Sequence, residues 1–508
     1  MPAQLKLYLV TFGFFVFAIF LGHAIAVEDY DTIAVIFFLT LFVLLLIIPG
    51  YEFFIALGLV SPFLLPLPIA RALPFVALIL GFCLLKFVFK RSLQKFQEEP
   101  IHCVNIPMLI FFGWVLIRYL MNPVKPNVGV SLGNNVTGFR AYFNYGICCL
   151  LALTLGYFIR TREQVIKLIK WSGILSLFFI FVLMAVMGSG SLALAQVLSI
   201  FGLNVGFFDT GLMRFVVLPQ FGSTLLILSF LPNLTRLANS MRVFLMITGV
   251  IAIFMGGGRS SLACLFTIFL SCALVRRRIF SVSSAVLLTA LSLISFRLVG
   301  EHYNFKEGVG LLRGISLVSE RVAYITDASA TYKWRQLRWE RAWEDIRKRP
   351  ILGSGYGGVE NAYVFATRNE YDAASIDIDV ASGNIHNGYI AGARALGIPE
   401  VLLFLVIFVH QIVSHARGAL RTLRQDPVQG DLHGFVFANL SSLVILIYVG
   451  TDLNGFLIWF YVALGVLVTR LGKKAETADV LQDHEKPSVH LPAVRPALAY
   501  SAEFKTSR

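Results

Sequence analysis

Proton transfer and anion binding both fall within reach of a few residues at the margins of apolar runs. His386 lies in Ile385-His386-Asn387-Gly388-Tyr389-Ile390, where a long polar stretch gives way to an apolar one. An imidazole titrates at about 6.5, which suits it to accept a proton from a hydroxyl. A lone histidine at a membrane interface is by default structural, and both readings stand at this point. Arg214 and Arg259 also sit where apolar runs begin. An arginine inside such a run costs about 2.5 to 3.5 kcal/mol on insertion and usually faces a polar cavity. A guanidinium binds phosphate through two parallel hydrogen bonds and keeps its charge. Snorkelling to lipid headgroups is the blander account of each arginine. Arg118, beside Tyr119, is a weaker candidate of the same kind.

These residues need elements to hold them, and composition says what those elements are. The 508 residues are 57% hydrophobic and 14% charged, with mean hydropathy +0.76. So much apolar surface belongs in lipid. The alternation that marks a membrane β-barrel is absent, so the expectation is an all-α polytopic membrane protein. Apolar runs occupy 7–26, 32–49, 53–69, 74–89, 105–121, 140–158, 168–187, 214–231, 243–257, 260–275, 279–296, 387–409, 434–450 and 456–470. This predicts about 12 to 14 transmembrane helices. Ala24-Ile25-Ala26 resembles a signal-peptidase site, but a single upstream Lys6 favours an uncleaved first helix.

The net charge of +14 does not point to nucleic acid, because Lys and Arg are dispersed at the ends of apolar runs. With the N-terminus cytoplasmic, basic clusters at 90–95, 160–170, 236–242, 276–278 and 417–424 and the tail all fall on the same side. The opposite side receives Glu28-Asp29-Tyr30-Asp31 and Thr451-Asp452. The expected organisation is a helix bundle over 1–296, a large external loop over 297–386, further membrane helices over 387–470, and a disordered cytoplasmic tail over 471–508. On this topology only His302, His386 and His23 can face outside. The six cysteines lack metal-ligand or disulfide spacing and carry no assigned role; no cofactor is expected.

Long loops between helices are where function concentrates. Within this one, Trp339, Ala342, Trp343 and Ile346 repeat at helical spacing and mark an amphipathic helix that Pro350 stops. Arg347, Lys348 and Arg349 fall in or just after its last turn, where the helix dipole favours cations; contact with anionic glycan or lipid is the equal alternative. Gly353-Ser354-Gly355-Tyr356-Gly357-Gly358 follows a helix and not a strand, so it reads as a tight turn bringing backbone close to another element, not as a dinucleotide loop. The acidic stretch from Glu370 to Asp379 reads as an exposed loop, with acceptor orientation as the alternative.

Taken in order, Arg335-x-x-x-Trp339, Pro350-Ile351-Leu352-Gly353-x-Gly355, His386-Asn387-x-Tyr389 and Gly397-Ile398 resemble the loop block of the O-antigen ligase and polymerase superfamily. Gly258-Arg259-Ser260-Ser261 is similar to its intramembrane Ser-Arg-Gly motif, and Arg214-Phe215 to its other arginine site, where Gln220-Phe221 departs from the usual Asn. The resemblance implies a metal-independent, inverting glycosyltransferase of GT-C architecture in the bacterial inner membrane, with the loop periplasmic. Its donor would be an undecaprenyl diphosphate-linked oligosaccharide, with His386 as catalytic base and Arg214 and Arg259 binding the diphosphate. Arg335, Asn387 and Tyr389 would contact substrate. The acceptor is a second repeat unit for a polymerase of O-antigen or exopolysaccharide, the favoured reading, lipid A core for a ligase, or a Ser or Thr hydroxyl for a protein glycosylase. Membrane lipid, chain-length regulators and export proteins complete the implied partners. A polysaccharide flippase or transporter is the alternative of a different class; it fits less well because no internal repeat is visible and Glu52, Asp209 and Asp452 lie at run ends.

Overall fold

The computed structural model describes residues 51–60, 101–123, 139–189, 205–207, 213–215, 218–255, 259–276, 328–356, 376–377, 380, 385–449 and 453–485. They form α1 (Tyr51–Val60), α2 (Ile106–Met121), α3 (Phe139–Phe158), α4 (Arg162–Ser189), α5 (Leu218–Phe230), α6 (Pro232–Thr235), α7 (Asn239–Met255) and α8 (Arg259–Val275). After these come α9 (Ala328–Lys348), α10 (Gly388–Leu396), α11 (Ile398–Thr422), α12 (Pro427–Val449) and α13 (Phe456–Glu485). One small antiparallel hairpin, β1 (Val205–Phe207) and β2 (Met213–Phe215), interrupts the helices, with Gly206 opposite Arg214.

The chain is therefore an all-α polytopic membrane protein, as composition requires. Among the described residues, five helices are long and apolar enough to cross a bilayer, and four shorter apolar helices accompany them. Large apolar side chains stay exposed along outer faces, including Ile106, Leu109, Ile110 and Leu116 on α2 and Leu402, Val406 and Val409 on α11. Such a surface is stable only against lipid. The expected runs at 7–26, 32–49, 74–89 and 279–296 lie outside the described residues.

Several boundaries differ from expectation for identifiable reasons. The run at 387–409 is two helices, because Gly397 at φ 92° and ψ 165° leaves the helical region between α10 and α11. From there α11 continues to Thr422, where arginines stay solvated at the helix end. Arg214 does not open a span: it lies in β2, and α5 begins at Leu218 with Pro219 in its first turn. The last helix runs to Glu485, so the first part of the expected disordered tail is helical. Extending a formed helix needs no new nucleus, and Pro487 is the first residue that opposes it.

The core gathers around α13. Trp459 is fully buried, with ring centroids 4.6 Å from Phe111 and 4.7 Å from Phe112 on α2 and 5.9 Å from Phe404 on α11, and its indole N–H donates to the Leu453 carbonyl at 2.8 Å. A second tight contact joins α5 and α7. A β-carbon at Gly222 would lie 2.5 Å from the Gly249 carbonyl oxygen, and one at Gly249 would lie 2.7 Å from that of Gly222. Small residues let membrane helices pack backbone to backbone, where dispersion replaces the missing hydrophobic drive.

At the end of the bundle carrying the basic clusters, two carboxylates are engaged by arginine. Arg276 meets fully buried Asp431 at 2.8 Å, and Asp431 also accepts from the Asn233 amide at 2.9 Å. Asp426 caps α12, accepting from the Gln429 amide at 3.1 Å, and takes both guanidinium nitrogens of Arg162 at 2.5 and 2.7 Å. Burial alone pushes the Asp426 carboxyl up, but the hydrogen bonds from Arg162 and the Gln429 amide outweigh it and hold it below its ordinary value of 3.8.

Two outcomes follow. Gly222→Val drives a side chain into the α7 backbone and lowers stability by about 1 to 3 kcal/mol, read as a drop in Tm of the detergent-solubilised protein. Asp426→Ala loses a cap and an ion pair and costs about 1 kcal/mol at neutral pH. A depressed carboxyl stabilises above its ordinary value and loses that effect as pH falls through the depressed one. Thermal unfolding curves of wild type and Asp426→Ala should therefore converge only below pH 3.8.

Candidate functional site

The helix expected from Trp339, Ala342, Trp343 and Ile346 is α9. Ala342 and Ile346 are fully buried, Trp339 is half-buried, and Trp343 faces outward. Ala342 packs with Ile376, Val380, Ile385 and Ala391, which seats α9 against α10. The Trp339 indole N–H donates to the Ile385 carbonyl at 2.9 Å, and Asp345 meets Arg394 of α10 at 3.1 Å. Arg347 and Arg349 are exposed, and Lys348 reaches Asp345 at 3.9 Å. On the outer flank Arg341 pairs with Glu344 and with Asp377 of the acidic stretch; the rest of that stretch, apart from Ile376, lies outside the described residues.

Beyond α9 the chain turns back onto the α10–α11 junction by backbone hydrogen bonds alone. The Ser354 and Gly355 amides donate to the Arg394 and Ala395 carbonyls at 2.6 and 2.8 Å, and the Ile398 amide donates to the Pro350 carbonyl at 2.8 Å. This is the close approach that the glycine-rich sequence predicts, seen at Gly353 and Gly355; Gly357 and Gly358 lie outside the described residues. Gly353 has φ 66°, and a β-carbon there would meet the Ala395 carbonyl and the Gly397 amide at 2.6 Å. A β-carbon on Gly397 would overlap the Ile351 carbonyl. Arg118, buried on α2, donates to the Gly353 carbonyl at 3.3 Å and so braces this turn. Trp114 of the same helix donates to the Leu396 carbonyl at 3.0 Å.

His386 lies where these parts meet. Its backbone has φ 53°, a left-handed conformation uncommon for a residue with a side chain. Neighbours on both sides enforce it. Ile385 is fully buried and held through its carbonyl by Trp339. Asn387 caps α10, its carboxamide oxygen accepting from the Tyr389 and Ile390 amides at 3.1 and 3.2 Å. The imidazole, half-buried, packs against the Trp334 indole with centroids 5.0 Å apart. Buried Arg338 sits over that indole, its guanidinium carbon 2.9 Å from the ring centroid. Arg335, half-buried, is the next residue on α9.

The structure thus brings His386, Trp334 and Arg338 to one place, with Asn387 next to His386 in the chain and Arg335 next to Trp334 on α9. Asn387 is 5% exposed with its oxygen committed to the cap, and Tyr389 turns into the core 6.4 Å from Phe404. Arg259 is the first residue of α8, and Arg214 lies mid-strand in β2; their side chains lie outside the described residues. Sequence reasoning missed Trp334 and Arg338, although Trp334, Arg338, Ala342 and Ile346 recur every four residues on the buried face of α9. An arginine on such a face was the available signal. It also missed Glu400, fully buried in the first turn of α11, which accepts from the Tyr145 hydroxyl at 3.0 Å; that hydroxyl lies 3.3 Å from the one of Tyr356. Among the described residues no group of histidines, cysteines and carboxylates is arranged to hold a metal.

Gly397→Ala tests this arrangement. It places a β-carbon in a glycine-only conformation against the Ile351 carbonyl, and the strain alone is about 1 to 3 kcal/mol. The expected result is a lower Tm together with faster proteolysis between α9 and α10.

A comparison with curated proteins finds no match. A protein-family model described as O-antigen ligase matches residues 244–405, which takes in Arg259, α9, the turn at Gly353, His386 and the start of α11, and leaves out Arg214. Over that segment the chain is similar to the O-antigen ligase family.

Proposed function

We propose that this protein transfers glycan from a lipid diphosphate carrier to an acceptor hydroxyl, with His386 as the base. The match of residues 244–405 to the O-antigen ligase family supports glycan transfer of the ligase and polymerase type in general. The observation that carries the role of His386 is its conformation. A side chain held at φ 53° by a capped helix start on one side and a tethered, buried residue on the other is maintained at a cost, and such strain gathers at functional sites.

In the proposed reaction the acceptor oxygen attacks the anomeric carbon and its proton passes to the His386 imidazole. The bond from that carbon to the diphosphate oxygen breaks, and the diphosphate leaves with the electron pair. Attack opposite the leaving group inverts the anomeric centre. Arg259 and Arg214 stabilise the charge that develops on the diphosphate, an effect strongest in a site shielded from water. Arg338 and Trp334 position the imidazole, and Asn387 does so through the cap. The acceptor we favour is a second lipid-linked repeat unit, which makes the protein a polymerase of surface or exported polysaccharide in the bacterial inner membrane, the loop facing the periplasm. The description of the matched family favours a ligase, for which we take lipid A core as the acceptor, and the two differ only in what enters the hydroxyl site.

His386→Gly separates chemistry from folding, because glycine removes the imidazole and relieves the left-handed backbone. Stability should stay within about 1 kcal/mol of wild type, while transfer by purified protein falls about 10² to 10⁴-fold. Laddered products from lipid diphosphate-linked repeat units alone identify a polymerase, and product only with added lipid A core identifies a ligase. Undiminished transfer by the variant removes His386 from the mechanism. Transport without transfer by wild type favours a flippase.

A further inference from the structure

In the half of α11 remote from His386, from His410 onward along a helix whose 25 residues span about 37 Å, a cavity of about 990 Å³ opens between the α3–α4 link, α4, α11, α12 and α13. Its walls carry Arg160, Arg162, Arg417, Arg421, Lys473 and Lys474 against the single carboxylate of Asp426. That carboxylate is already taken by Arg162 through both oxygens. Arg417 and Arg421 make no hydrogen bond or ion pair among the described residues. With His410 and Ser414 they repeat at i, i+4, i+7 and i+11 and so share one face of α11.

Basic residues that served only to orient the chain would spread outward into water. Here Arg417, Arg421, Lys473 and Lys474 are solvent-exposed yet line one concavity together with Arg160 and Arg162, and like charges brought together repel unless an anion lies between them. The floor is built and neutral. The bonding fixes its tautomers: His415 Nε2–H donates to Gln411 Oε1 at 3.2 Å, leaving His415 Nδ1 to accept from His433 Nδ1–H at 2.8 Å. Gln429 then donates to His433 Nε2 at 3.3 Å and to the Val468 carbonyl at 2.9 Å. The volume is that of a whole polar ligand rather than of one bare ion. Beside the basic face, exposed Val406, Val409 and Val413 form an apolar strip on α11 that runs to the rim, and Val413 itself lines the cavity.

We infer that this cavity is a binding site for a phosphate-bearing anion, supplied by the headgroup of an anionic phospholipid whose acyl chains lie along Val406, Val409 and Val413. Arg417 and Arg421 bind the phosphate oxygens, and Lys473 and Lys474 close the opposite wall. The site is remote from His386 and does not depend on the role proposed for it.

The test uses full-length protein in a neutral detergent, titrated with short-chain phosphatidylglycerol, short-chain phosphatidylcholine or sodium pyrophosphate while Tm is followed. Wild type should show a saturable rise with phosphatidylglycerol and none with phosphatidylcholine. The concentration for half-effect should increase about tenfold or more in Arg417→Gln/Arg421→Gln. Ser414→Glu, which keeps every cation but sets a carboxylate in the cavity, should weaken the response as well. A response to pyrophosphate as strong as that to phosphatidylglycerol supports the phosphate site and assigns it to a soluble ester. Equal responses to the two lipids, or variants that respond as wild type does, overturn the proposal.

Discussion

The candidate site depends on a backbone clasp, the set of hydrogen bonds by which Pro350 to Gly355 lies against the α10–α11 junction. Peptide groups of two segments can approach this closely only where no β-carbon intervenes, which is why Gly353 and Gly397 face each other across it. The clasp also satisfies the carbonyls of Arg394 and Ala395 at the end of α10, which a helix terminus in an apolar setting cannot leave bare. Arg118 and Trp114 add donors from α2, so an arginine that by sequence suited an anion serves to hold the turn. Three segments far apart in the chain are locked together by groups that carry little sequence specificity.

From that anchor the position of His386 follows. The clasp fixes the end of α9, the packing of Ala342 and the Trp339 bond fix its face, and the Asn387 cap fixes the start of α10. Only one short link remains between Ile385 and Asn387, and it closes by placing His386 in the left-handed region. Beneath, Tyr356 carries the clasp into the bundle, where its hydroxyl meets that of Tyr145 and so reaches Glu400. The second carboxylate oxygen of Glu400 has no hydrogen-bond partner among the described residues. The bonds that are made, Tyr145 to Glu400 and to Tyr356, would be lost in an arrangement that moved α3, α11 or the clasp apart.

The two ends of α11 carry opposite chemistry on a single rigid rod. One end meets the clasp through a glycine and a buried carboxylate, and the other presents arginines to a cavity roofed by lysines of α13. The hydrogen-bonded chain from Gln411 to Gln429 crosses α11 and α12 between them, with Gly418 and Gly465 making room for the two imidazoles. Satisfied polar groups inside an apolar bundle fix helix register as firmly as packing does.

Much of this was legible in the sequence because it rests on composition and period. Mean hydropathy and apolar runs dictate a helical membrane protein, since lipid admits only helices or closed barrels and the alternation of a barrel is absent. The spacing of Trp339, Ala342 and Ile346 marked the face of α9, and the glycines marked a close approach. What the tertiary structure decided are the partners. That Asn387 spends its oxygen on a cap, that Arg338 lies on Trp334 beside His386, and that Gly397 splits one apolar run into two helices depend on what the rest of the chain places opposite them. Local sequence encodes which faces avoid water. Which polar group meets which is set by contacts between residues hundreds of positions apart, such as Arg118 with Gly353, and no short-range pattern carries that information.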